Sequence, residues 1–369
     1  MKKFYICKLL LAMGLGMVSI AEANHLAKKT PEQALKFHQF RMEKLPAIYR
    51  LSVIPASSSP LELKVDYKPN KDIQQMMKKS DLLSVMKYRN GQIVINEKSS
   101  KLGEDDKMYS MSIAKSFIGY LVGHAVCDGH FSSLEDPMAK YVPELKGTIY
   151  SDISVGKMID MAAGDSPIWG KKYNIQEYSG VVLSASDKDR KTILEVIASK
   201  PKQSPKNVGD FRYSNAVTDL VARALDTAVP EGLSNYYGSK LSDPAGNKSE
   251  MFYYVDANGW PIAHAFLHAT RSDYMRMAIK VMSDWSSKTC IGDFLRSQYD
   301  QRIKTGNKDF KSYGAFFWFD LNSIKAPIAS MNGHGGQRII INLKDQSIVS
   351  YHAIRSDFDG KKLENWTLK

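Results

Sequence analysis

Strand signals cluster at the two ends of this 369-residue chain, with a long helical stretch between them. Early on, Leu83-Ser84-Val85-Met86-Lys87-Tyr88 and Ile93-Val94-Ile95-Asn96 flank Arg89-Asn90-Gly91-Gln92. Asn-Gly between two such runs is a strong hairpin signal. The alternating stretch 61–67 is a further strand candidate. Three runs close the chain, at 313–319, 337–342 and 347–353, the last two joined by the turn Lys344-Asp345-Gln346. Helical patterns fill the middle, at 110–127, 153–164, 189–199 and 215–229, with another at 271–285. A chain of this kind most simply forms one antiparallel sheet from both of its ends, flanked by helices, with an all-helical lobe (about 128–260) inserted. That is an α+β sandwich. Residues 24–60 read as an N-terminal extension, helical around 31–37 and rich in Pro and Ser at 55–60, leaving 61–369 as the main domain.

The first of those helices carries a chemical signal. Ser112-Ile113-Ala114-Lys115 places a serine and a lysine three residues apart, and Phe117-Ile118-Gly119-Tyr120-Leu121-Val122 follows. Positions i and i+3 share a helix face. A serine hydroxyl needs a neighbouring base to act as a nucleophile. A lysine serves as that base only where burial lowers its pKa. The start of an apolar helix meets both needs, and its free N–H groups bind an oxyanion. The plain alternative is a helix start with an exposed lysine.

Two later stretches supply candidate partners. Tyr213-Ser214-Asn215 lies between Gly209-Asp210 and a helix. A tyrosine whose pKa is lowered by a nearby lysine shuttles a proton, and the Asn215 amide orients the lysine or holds a substrate carbonyl. Structurally, Tyr213 also reads as a core side chain and Asn215 as a helix cap. Then Asn332-Gly333-His334-Gly335-Gly336-Gln337 precedes a strand. Its glycines admit a close backbone approach, and the strand offers a second oxyanion N–H.

These three stretches, in this order, resemble the serine hydrolases of the penicillin-recognising fold. That group includes class C β-lactamases, D-alanyl-D-alanine peptidases, esterases and 6-aminohexanoate-dimer hydrolases. The matching residues are Ser112 with Lys115, Tyr213 with Asn215, and His334-Gly335-Gly336. Supporting stretches are Leu134-Glu135-Asp136-Pro137, Tyr141-Val142-Pro143-Glu144-Leu145 and Asp160-Met161-Ala162-Ala163-Gly164. The resemblance implies Ser112 as nucleophile and Lys115 with Tyr213 as general base and acid. It further implies Asn215, His334, Gly335, Gly336 and Gln337 as substrate or oxyanion residues, and no metal or cofactor. Lactamases and peptidases carry Lys-Thr-Gly at the third motif. Here that triplet occurs at Lys304-Thr305-Gly306, in a polar loop, and reads as a decoy. Histidine in its place leans toward the ester- and amide-hydrolysing branch, in which a further tyrosine assists. Trp169, Tyr173 and Tyr178 lie in the right region for it. A D-alanyl-D-alanine carboxypeptidase or lactamase, and a non-catalytic binding protein that kept the fold, stay open as alternatives.

Composition narrows the partners. The formal charge of +12 comes from scattered lysines. No arginine-rich or aromatic-interleaved basic face marks a nucleic-acid partner. A small-molecule ester or amide is the expected substrate, and the oligomeric state is not legible. Lys2 and Lys3, an apolar run over 9–20 and Ala21-Glu22-Ala23 read as a cleaved export leader ending before Asn24, with a membrane anchor as the alternative, for which the run is short. No later segment reads as membrane-spanning. Cys7 would leave with the leader. Cys127 and Cys290 are expected as two separate buried thiols, with pairing in an oxidising compartment as the alternative. His264 and His268 stand at i and i+4, but no third ligand lies near them in sequence, so they are not read as a metal site.

Overall fold

The computed structural model describes residues 50–364 apart from 80, 171–174, 185–187, 322, 323, 325, 355–359 and 362. The leader, the 31–37 helix and Tyr173 therefore lie outside the described residues. Asn90 and Gly91 both adopt positive φ, 50° and 83°. That is the geometry of a tight two-residue hairpin. The turn joins β2 (Leu82–Arg89) to β3 (Gln92–Lys98). The last strand, β13 (Ser347–Ala353), pairs antiparallel with β2 and brings the two chain ends together. Beyond it lie β12 (Gln337–Asn342), β11 (Ile328–Gly333), β10 (Phe317–Leu321), β9 (Phe310–Gly314) and β8 (Ile303–Lys304). The eight strands run in the order β3-β2-β13-β12-β11-β10-β9-β8, every neighbour antiparallel.

Both faces of this sheet are covered, which explains its unbroken apolar runs. Along β12, Ile339 and Ile341 enter the main core, while Ile340 points the other way. There it joins Val85, Val349, Tyr351 and Leu363, under Ile73 of helix α1 (Lys71–Lys79). Between β4 (Lys107–Tyr109) and β5 (Met251–Val255) the named elements are helical. Those that shape the site are α2 (Ile113–Cys127), α3 (Val155–Ile159), α4 (Ile175–Val182), α5 (Ile193–Ala198) and α6 (Asn215–Ala228). Later come α7 (Arg271–Trp285), which packs on the sheet, and α8 (Cys290–Asp300).

Several expectations are corrected. The run 313–319 is a hairpin, not a strand: Ala315 and Phe316 turn at φ 44° and 62°. No Asn-Gly marks this turn because its tip is buried and held by the protein. Phe316 N–H donates to Ile159 O at 2.8 Å, and Ser116 Oγ donates to Phe316 O at 2.7 Å. The stretch 61–67 is mostly exposed and makes one isolated bridge, Val65 to Ile93. The helix expected over 153–164 stops at Ile159, and Met161 turns at φ 56°. A second sheet was not foreseen. It orders β1 (Arg50–Ile54), β5, β7 (His268–Thr270) and β4, with β6 (Pro261–Ile262) beside β5. Its strands are two to five residues long, too short to show a period. Finally, Cys127 and Cys290 are not separate thiols but form a disulfide, with Cα atoms 5.8 Å apart. The end of α2 and the start of α8 meet there, a proximity that a sequence separation of 163 does not reveal.

Candidate active site

The chain passes from β4 into α2 through a sharp bend. Ser110 fixes the approach: its N–H donates to Leu267 O at 2.8 Å, and its Oγ accepts Leu267 N–H at 3.1 Å. Met111 then adopts φ 45°. A side chain in that left-handed region costs on the order of 1–3 kcal/mol and persists only where its surroundings hold it. Ser112 follows as the N-cap of α2, yet its side chain makes no capping bond. The hydroxyl faces Lys115 instead. Lys115 Nζ donates to Ser112 Oγ at 3.1 Å and also to His264 O. Lys115 is 1% exposed. Burial lowers its pKa to about 7, against an opposing pull from the Asp219 carboxylate. Near neutrality the amine is partly unprotonated, as a base must be.

Tyr213 completes the group. Its ring centroid is 5.1 Å from Lys115 Nζ, and its phenol lies beside the Ser112 side chain. Trp318 stacks on the ring at 5.6 Å. The expected lowering of the Tyr213 pKa is not found: burial raises it above its ordinary value of 10. The side chain is therefore a neutral phenol, suited to giving a proton and taking one back, not a standing phenolate. Its loop is laced to the turn after α3: Arg212 N–H donates to Met161 O at 2.6 Å and Gly209 N–H to Ala162 O at 2.9 Å. Asn215 is the first residue of α6. Its Nδ2 donates to Ser179 Oγ at 2.9 Å, so the amide turns to Ser179 and not to Lys115.

At the third motif, His334, Gly335 and Gly336 form the β11–β12 turn, the two glycines at φ 79° and 83°. His334 is exposed. Gln337 closes the turn opposite Gly333. Its buried side chain braces the turn, with Nε2 donating to Ala353 O and Oε1 bonded to His352 Nδ1 at 3.0 Å. The glycine that abuts the nucleophile segment is Gly333: a Cβ there would lie 2.6 Å from Ser110 O and 2.9 Å from Met111 Cβ. A glycine run was visible in the sequence, but which glycine makes the approach was not. Lys304, in β8, sits at the far edge of the sheet, three strands from β11. Thr305 bonds back to Phe310 O at 2.7 Å. Lys304-Thr305-Gly306 thus belongs to a peripheral turn.

A family model described as Beta-lactamase matches residues 70–365. The chain belongs to the beta-lactamase family. A 6-aminohexanoate-dimer hydrolase from Paenarthrobacter ureafaciens is 24% identical over 215 residues, covering 56% of this chain and 53% of that protein. The match thus spans about half the length of this curated relative. Among solved structures, a Bacillus anthracis protein provisionally named a 6-aminohexanoate-dimer hydrolase aligns with TM-score 0.75 at 15% identity, over 94% of this chain and 95% of its own. A class C β-lactamase from Rhodobacter sphaeroides aligns with TM-score 0.58 at 13% identity, over 80% and 96%. These likenesses show the beta-lactamase fold, with its antiparallel sheet drawn from both chain ends.

Within this beta-lactamase-family chain one part of the site escaped sequence reasoning. His264 was noticed only as a partner of His268. In the structure their rings go separate ways: His268 packs between Tyr109 and Phe252, whereas His264 Nδ1 bonds to Asp219 Oδ2 at 2.8 Å and Nε2 to Ser179 Oγ at 3.0 Å. Asp219 also accepts the Tyr178 hydroxyl at 2.8 Å. Tyr178, one of the candidate auxiliary tyrosines, is thereby turned inward. Trp169 is buried too, its Nε1 donating to Tyr150 OH at 2.9 Å. The one available signal was Asn215 and Asp219 at i and i+4 on α6, facing the same way. Among the described residues no cluster of three or more His, Cys, Asp or Glu has a metal-holding arrangement, and no helix is long and apolar enough to cross a membrane.

Proposed function

We propose that this protein is a serine hydrolase that cleaves ester or amide bonds of small molecules through an acyl-enzyme on Ser112. The observation that carries this reading is a fully buried lysine amine 3.1 Å from the hydroxyl of a helix-cap serine that caps nothing. Ser112 Oγ bonds to the substrate carbonyl carbon, and its proton passes to neutral Lys115. Tyr213 delivers a proton to the leaving oxygen or nitrogen as the carbon–leaving-group bond breaks. Water then attacks the acyl-enzyme by the same proton route, releasing the acid and restoring Ser112. The Ser112 and Gln337 N–H groups are the proposed oxyanion donors, and Gly333 gives the strand the clearance to come close. Histidine at position 334, in place of the lysine expected for selecting a carboxylate, favours 6-aminohexanoate-dimer-hydrolase-like or esterase-like substrates. The curated relative's name points the same way. Export fits the leader-like N-terminus and the Cys127–Cys290 disulfide, which belongs to oxidising compartments.

The test is a panel of short-chain esters, linear amides and a chromogenic cephalosporin, with mass analysis of the intact protein. Ester or linear-amide turnover with a Ser112-bound acyl group is expected, and Ser112→Ala should abolish both while leaving the fold unchanged. Cephalosporin turnover alone would move the assignment to the lactamase and peptidase branch. Failure of every acylating probe would leave a binding protein.

A further inference from the structure

Lys115 has two acceptors, and only Ser112 Oγ belongs to the reaction. The other is the main-chain carbonyl of His264, 149 residues further along. A side chain that the proposed reaction never touches holds that carbonyl in place. Asp219 Oδ1 accepts the main-chain N–H groups of Ala263 and His264, each at 2.8 Å. Its Oδ2 accepts the His264 ring Nδ1–H and the Tyr178 hydroxyl, each at 2.8 Å. Four donors from two segments thus converge on one buried carboxylate.

The hydrogen bonds beyond the ring have one consistent direction. With Nδ1 protonated toward Asp219, His264 Nε2 accepts from Ser179 Oγ–H at 3.0 Å. Ser179 Oγ in turn accepts from Asn215 Nδ2–H at 2.9 Å. Serine, histidine and aspartate at these distances have the connectivity of a hydrolytic triad. Ser179, though, is completely buried and beyond the reach of a substrate. The arrangement fits a brace. It is also anchored to the rest of the site, because α6 carries Asp219 one turn after Asn215, two residues beyond Tyr213.

We infer that Asp219 is a positioning residue for the general base: by clamping Ala263 and His264 it holds the His264 carbonyl where the Lys115 amine must rest to face Ser112, and it sets a buried negative charge behind that amine. The inference rests on the hydrolase reading above. The titratable groups facing Lys115 are Asp219 from α6, Tyr213 from the loop before it and His264 from the β6–β7 connection. Asp219 is faced in addition by Tyr178 of α4 and, more distantly, by Asp256 beyond β5. Burial lowers the His264 pKa, so its ring stays neutral where the enzyme works. Removing the Asp219 charge takes away what favours protonated Lys115, and the base should then lose its proton at lower pH.

The experiment measures fluorophosphonate labelling of Ser112 against pH, by mass spectrometry of the full chain, for wild type, Asp219→Asn and Asp219→Glu. In Asp219→Asn the acid limb should move down by about one pH unit, and the plateau rate should fall about tenfold or more as the amine loses its fixed position. Asp219→Glu keeps the charge but cannot hold the same four donors, so its limb should stay in place while its plateau falls. A labelled wild type with an unmoved Asp219→Asn limb overturns the inference and leaves the hydrolase reading standing. A wild type unlabelled at every pH overturns the hydrolase reading and the inference with it. If Asp219→Asn does not fold, Asp219→Glu decides: a wild-type rate there overturns the inference.

Discussion

A lysine amine closed off from water gives up its proton far more readily than one in solution, and Lys115 is 1% exposed. With its pKa at about 7, acylation of Ser112 should fall away as pH drops through 7 and level off above it. Pre-steady-state labelling across pH 5–9 checks this. Burial of the amine also weakens the fold. The unfolded lysine keeps its proton to about 10.5, while the folded one releases it near 7. Between those values the unfolded chain holds the extra proton, so the lysine's contribution to stability improves as pH rises. Below 7 its destabilising effect is complete. Lys115→Met should therefore be inactive but more stable than wild type at pH 6, with the gap narrowing toward pH 10, as urea unfolding would read. At this scale the sequence was most informative. Ser112 and Lys115 stood out by residue type and short spacing, and Tyr213 by its place in Tyr213-Ser214-Asn215, the second of three motifs in the order that the family resemblance expects. Asp219 and His264 were not, because their contact joins positions 45 residues apart and neither belongs to a local motif.

Elements fix where those side chains sit, and two glycines show how tightly. On α2, a Cβ at Gly119 would lie 1.9 Å from Ala315 O, inside the buried hairpin tip. Gly119→Ala should cost about 1–3 kcal/mol of stability, measurable by thermal or urea unfolding. At the end of β11, Gly333→Ala would press on Ser110 O and Met111. It should slow Ser112 labelling about a hundredfold for a displacement near 1 Å, beside a stability loss of about 1–3 kcal/mol like that at Gly119. The Asn90-Gly91 hairpin, α7 and the last two strands were readable because turn chemistry and periodicity agree there. The 313–319 hairpin was not, because its turn is stabilised by the protein around it and not by its own residues.

Over the whole molecule, one antiparallel sheet built from both chain ends followed from where the strand signals lay, whereas strands β8 and β11, the second sheet and the disulfide depended on distances that only folding creates. Cys127–Cys290 closes a loop across 163 residues. Replacing both cysteines by alanine should lower stability by about 2–4 kcal/mol. The same loss should follow reduction of the wild type, and differential scanning calorimetry with and without reductant compares the two.

Helix α2 can also be viewed as a mechanical part. Ser110 is bonded to Leu267 at one end, Cys127 is covalently tied at the other, and the Ala315–Phe316 tip props the middle beneath Gly119. A beam clamped at both ends and supported at mid-span does not slide or tilt alone. Ser112 thus keeps one address whatever the surrounding loops do. Substitutions that widen or redirect substrate choice should accordingly collect in the loops around the site and spare α2, a pattern that saturation mutagenesis under selection for a new ester would record.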